Sequence, residues 1–137
     1  MQLLHHLPLY LEKLTDKVIN DSIAPQLLNG ITDTNAVLRE ATVKAMVHLA
    51  PRLSEANRYG VALKHLRRCL SDAEPAIRVN TTICLGRIAH TVADAALRSE
   101  ALLPSLLKQL RDPFPHARVA AREALAHCIT CLLYTSP

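Results

Sequence analysis

Four cysteines, seven histidines and three recurring Asp–Arg pairs are the side chains of this sequence that could carry chemistry. Cys128 and Cys131 form a CxxC, the spacing that brings two thiolates to one metal ion or poises a redox pair. A zinc site needs four ligands, usually two such pairs. No second pair occurs, and Cys69 and Cys84 have no partner at ligand spacing. A redox CxxC opens a helix in a βαβ unit, a setting this sequence lacks. His5 and His6 are adjacent and point to different sides of a helix. His48, His65, His90, His116 and His127 form neither an HExxH nor an i, i+4 pair. GxSxG, P-loop and GxGxxG motifs are absent. The residues therefore predict no catalytic group, no cofactor site and no metal centre.

The remaining candidates are Asp33, Asp72 and Asp112, each followed six residues later by Arg39, Arg78 and Arg118. Such pairs could act as acids or anion binders, but their spacing argues otherwise. The Asp-to-Asp steps are 39 and 40 residues. A fixed period of that size marks a solenoid of paired helices, each repeat burying its apolar face on its neighbours. An Arg beside an apolar layer needs acceptors, and an Asp at a helix start supplies them. These six residues are read as a structural ladder.

The elements that must hold them follow from the apolar spacing. Each repeat reads as helix A, a turn carrying the Asp, then helix B. Helix B of the middle repeat places Ile77, Thr81, Cys84, Leu85 and Ile88 on one face. Leu38, Thr42, Ala45, Met46 and Leu49 take those places in the first repeat, and Ala117, Ala121, Ala124, Leu125 and Cys128 in the third. Each Asp is placed to accept N–H groups of the first turn of helix B. Pro25 and Pro104 stand eight residues before their Asp and predict a kink in helix A.

The predicted fold is all-α, an α-solenoid of antiparallel helix pairs whose Pro–Asp–Arg spacing resembles that of the HEAT type. Residues 1–131 form the repeat segment, with a partial repeat at 1–17 and full repeats at 22–53, 60–92 and 99–131. Leu3, Leu4, Leu7 and Leu11 share a face in the partial repeat and are expected to lack a covering neighbour, as in a piece of a longer protein. Residues 132–137 read as a non-native tail and are set aside.

Half of the residues are apolar, only four are aromatic and none is Trp, so the core must be aliphatic. The three glycines are too few for a turn-rich β fold. Net charge is +4, an ordinary surface rather than the concentrated stripe of a nucleic-acid domain. Lys64, Arg67 and Arg68 share one side of a helix, with Arg78 near in sequence. They are read as a solvated face, with a contact surface as the alternative. Phe114, the single Phe, lies between two prolines in a turn, where it either packs on the next repeat or makes a contact. No run is long enough to span a bilayer, and the start is not a signal peptide. The cysteine usage fits free thiols in the cytoplasm.

A Pro, an Asp eight residues later and an Arg six beyond that resemble the HEAT-repeat signature. Pro25–Asp33–Arg39 and Pro104–Asp112–Arg118 match it, while the middle repeat has Lys64 in place of the Pro. The resemblance implies that Asp and Arg of successive repeats stack between layers. DTNAVLREATVKAMVHLAPRLSEAN (33–57), IRVNTTICLGRIA (77–89) and RDPFPHARVA (111–120) further resemble the HEAT region of the N-terminal kinase-like proteins, the SCY-like pseudokinases. That resemblance covers roughly residues 2–128. It implies a non-catalytic, protein-binding scaffold in COPI-linked Golgi-to-ER membrane traffic, with coat components as partners and a peripheral place at Golgi or ER–Golgi membranes. Neighbouring repeats of the same protein would be further partners. A HEAT segment of a transport receptor or phosphatase subunit is the alternative. A nucleic-acid-binding helical repeat using Lys64, Arg67, Arg68 and Arg78 is a third.

Overall fold

The computed structural model describes residues 2–89, 91, 92, 94, 96 and 98–135, and the described residues contain no strand. Helix α1 spans Gln2–Leu11 and runs on through Pro8. Helix α2 has three parts: an α-turn Asp16–Val18, a π-helical stretch Ile19–Ile23 and an α-segment Ala24–Gly30. Helix α3 is Ala36–Leu49. Helix α4 joins a π-helical Ala56–Ala62 to an α-segment Leu63–Cys69. Helix α5 is Pro75–Ala89. Helix α6 joins a π-helical Arg98–Leu102 to Leu103–Gln109, and α7 is Pro115–Thr135. Helices α2, α4 and α6 are the A helices; α3, α5 and α7 are their B partners, and α1 stands in the B position before them.

The B helices pack in series, α1 on α3, α3 on α5 and α5 on α7, while each A helix covers its own B helix. The core is continuous across the repeats and aliphatic. Ile77, Thr81, Cys84, Leu85 and Ile88 are fully buried, as are Ala117, Ala121 and Cys128. In α3 Thr42, Ala45, Met46 and Leu49 are buried and Leu38 is half-buried. The buried threonines return their hydroxyls to the helix: Thr42 to the Leu38 carbonyl at 2.7 Å and Thr81 to that of Ile77 at 2.6 Å. This i to i−4 bond satisfies a hydroxyl where no other partner is in reach. Gly86 sits at the closest crossing. A Cβ there would lie 2.8 Å from the Ala124 Cβ and 2.9 Å from its Cα, so glycine lets α5 and α7 approach.

The A helices begin earlier than expected. Helix α2 starts at Asp16 rather than 22 and α4 at Ala56 rather than 60, because the wide π-turns break the 3.6-residue apolar period. Ile19 and Ala24 are both fully buried although five residues apart, a spacing out of phase with an α-helical stripe. Each A helix carries such a stretch just ahead of the Pro position. Helix α4 has it with Lys64 in place of proline, so the widened turn belongs to the repeat, and Pro25 and Pro104 follow it at the start of their α-segments.

The N-terminal face differs from expectation too. Leu7 is fully buried and Leu11 is 6% exposed, because α3 covers the side of α1 that carries them. The side chains of residues 2–5 and 130–135, with His90 and residues 136–137, lie outside the described residues. Leu3, Leu4, His5, Cys131 and most of the 132–137 tail are among them.

Candidate functional site

The three A-to-B turns line one edge of the stack and share one backbone path. Each A helix closes with an i to i−3 bond that brings the Asp into place: Asp33 N–H to Gly30, Asp72 to Cys69 and Asp112 to Gln109, at 3.3, 3.1 and 3.1 Å. The carboxylate then accepts the N–H two residues on, Asn35, Glu74 and Phe114, at 2.8, 3.0 and 2.9 Å. This fold-back precedes the helix and replaces the expected capping of the first turn of helix B. In α3 that task falls to Asn35, whose side chain accepts from Val37 N–H at 2.9 Å. Pro75 and Pro115 occupy the first positions of their helices, where no N–H is needed.

The six-residue spacing lets each Arg do two things. Its Nη1 reaches back to the carbonyl of its own repeat's Asp: Arg39 to Asp33 at 2.9 Å, Arg78 to Asp72 and Arg118 to Asp112 at 2.8 Å each. Nε and Nη2 of Arg39 reach forward to the Asp72 carboxylate at 2.8 and 3.1 Å. Arg78 repeats this on Asp112 at 2.8 and 3.2 Å. The forks are bidentate and largely buried, with side-chain exposures of 14% for Arg78 and 5% for Asp112. The Arg78 hydrogen bonds, against the opposing effect of burial, hold the Asp112 carboxyl below its ordinary pKa. Burial pushes Asp72 up, but bonds from Arg39 and the Glu74 N–H, with the Arg39 and Arg78 charges, outweigh it and leave it lowered too. Both carboxylates are held in the ionised form by the forks and by a backbone N–H, so they are poorly placed as acids.

The opposite edge carries polar contacts that the sequence did not reveal. Asn20 donates to the Arg52 carbonyl at 3.2 Å, and Tyr59 donates its hydroxyl to the Thr91 carbonyl at 2.7 Å. The two donors are 39 residues apart and so are the two acceptors, so one repeat position closes the first two helix pairs with different side-chain types. Arg52 spans α1 and α3, donating to the carbonyls of Leu11 and Leu14 and to Asp16 at 2.8, 2.7 and 2.6 Å.

The three cysteines whose side chains are described, Cys69, Cys84 and Cys128, are buried. Burial pushes Cys69 up to about 11 and Cys84 up to about 12, and Cys128 is fully buried. Among the described residues no group of three or more His, Cys, Asp or Glu could hold a metal. Arg78 leaves the basic cluster, because its guanidinium is committed to Asp112 on the ladder edge. Lys64, Arg67 and Arg68 remain together and exposed on α4. They border an open groove of about 610 Å³ between α4 and α6, to which α6 adds Lys108. Phe114 is half-buried beside His116, with ring centres 5.3 Å apart, on the ladder edge.

Residues 14–97 match the family model described as Cnd1, non-SMC mitotic condensation complex subunit 1. The chain belongs to this family of HEAT-like helical repeats. Over 130 residues, 95% of its length, it is 36% identical to the probable inactive serine/threonine-protein kinase scy1 of Dictyostelium discoideum. Over 112 residues, 82% of its length, it is 32% identical to the protein kinase domain-containing protein ppk3 of Schizosaccharomyces pombe. The chain spans 16% and 17% of those two proteins. The likeness to SCY-like pseudokinases thus extends along nearly the whole helical-repeat segment. Among the described residues no helix is long and apolar enough to cross a membrane.

Proposed function

We propose that this chain is a non-catalytic scaffold segment of a Scy1-like inactive kinase, acting through protein contacts in COPI-linked Golgi-to-ER traffic. The observation that carries this reading is the 36% identity to an inactive kinase over 95% of the chain. The site geometry supports the non-catalytic part. Arg39 is spent on Asp72 and Arg78 on Asp112, and the described thiols lie in the core. A repeated two-layer stack offers long, regular surfaces, the usual basis of protein binding by solenoids. The cytoplasmic face of Golgi or ER–Golgi membranes is the proposed place, reached by protein contacts rather than by insertion.

The test is imaging of the full-length protein that carries these repeats, together with the COPI coat. Overlap at the Golgi–ER boundary is expected, and an even cytosolic distribution indifferent to coat assembly would refute the traffic assignment. The match to a condensation-complex family favours one second reading, a HEAT segment of another large assembly. A transcript without a kinase-like lobe upstream of these repeats would decide for that second reading.

A further inference from the structure

We infer that the groove between α4 and α6 is a docking site for an extended acidic peptide segment of a partner protein. This rests on the chain being a protein-binding scaffold, but not on the traffic assignment. Helix α4 carries Arg58, Lys64, Arg67 and Arg68 and no acidic residue. Lys64, Arg67 and Arg68 line the groove from one side and Lys108 from the other, and no Asp or Glu is among the lining residues. Among the described residues none of these four cations is in an ion pair. Arg67 donates to the Ser105 hydroxyl at 3.3 Å across the groove, which ties the two walls together. On the neighbouring edge Arg39 and Arg78 are each neutralised by a carboxylate, whereas the groove cations have no acidic residue among their lining neighbours.

A second observation specifies the kind of anion. Gln109 lines the groove, is 4% exposed, and its Oε1 has no hydrogen-bond partner. An unmet buried acceptor is costly and calls for a donor. A peptide brings backbone N–H groups, whereas phosphate and lipid headgroup oxygens bring none. Leu63, Leu70 and Pro104 add apolar wall between the charges, suited to the carbon stems of Glu or Asp. The cleft also spans only two helices and is concave. Nucleic acid favours a longer basic track along its phosphates, and a lipid surface needs a flat or convex patch. Charge complementarity would speed capture and make it salt-dependent, while the Gln109 amide would fix the strand.

The experiment is fluorescence anisotropy with the 137-residue chain and a labelled peptide of about ten residues rich in Glu. A single-stranded oligonucleotide of equal charge and vesicles of anionic phospholipid are run in parallel. The peptide should bind most tightly and weaken as salt rises. Arg67→Glu with Arg68→Glu should weaken it about tenfold or more, with a melting curve that moves little, because both side chains are exposed and only the long, exposed Arg67–Ser105 bond is lost. Gln109→Leu should weaken the peptide several-fold while leaving the residual oligonucleotide binding as it was. Tighter binding of the oligonucleotide or the vesicles would overturn the inference, as would peptide affinity indifferent to the charge reversal. If Gln109→Leu does not fold, the exposed Arg67 and Arg68 variants still decide. Failure here leaves the coat imaging untouched, and diffuse localisation leaves this groove untouched.

Discussion

Replacing Asp112 by Asn removes the charge of the most buried rung while keeping its shape. The carboxylate accepts two bonds from Arg78 and one from the Phe114 N–H. An amide can still accept from Phe114, but it loses the bidentate fork and turns a donor toward a guanidinium. Arg78 keeps two backbone carbonyls, of Asp72 and Ala73. Breaking a well-buried ion pair from one side costs about 3–5 kcal/mol, and the surviving carbonyl contacts place this case near 3 kcal/mol. For a domain of this size that is about 10 °C in melting temperature. The folded carboxyl is held below its ordinary value of about 3.9. Its contribution is therefore complete above that value and is lost as pH falls through it toward the lower folded value. Thermal melts of wild type and Asp112→Asn should differ by a constant gap from about pH 5 upward, and the gap should close in acid. A cycle with Arg78→Met should show coupling of at least about 1 kcal/mol. Equal melting temperatures at neutral pH, or a gap unchanged in acid, would refute the reasoning.

Gly86→Ala should destabilise by about 1–2 kcal/mol despite the better helix propensity, since the new methyl meets the Ala124 backbone; urea titration measures it, and a gain in stability would show that the crossing can relax. Cys69 and Cys84 should resist a thiol reagent at pH 8 until the chain unfolds, because burial holds them at about 11 and 12; modification faster than unfolding would contradict that burial. Tyr59→Phe should cost about 1 kcal/mol through the lost bond to the Thr91 carbonyl, read as a shift in the urea midpoint; an unchanged midpoint would mean water replaces it.

The sequence by itself determined the helical class, the repeat and the inward faces, because these rest on local spacing. A 39- to 40-residue period and a 3.6-residue apolar stripe do not depend on how the chain closes. They place Ile77, Cys84 and Leu85 on the buried face. The six-residue step from Asp to Arg also marked residues that belong to the repeat rather than to a reaction. Tertiary structure decided which charges meet. Arg39 and Arg78 each share their donors between their own turn's carbonyl and the next repeat's carboxylate, and only stacking sets that distance. Stacking removed Arg78 from the basic cluster and brought Lys108 and Gln109 to Lys64, over 40 residues away in the chain. The π-turns hid the starts of the A helices, since a widened turn shifts the apolar phase on which such a reading depends. Asn20 and Tyr59 close equivalent helix pairs with unlike side chains, so no comparison of residue types could pair them. Leu7 and Leu11 are covered by α3 because a B helix packs on the next B helix, a contact that exists only once the repeats are stacked.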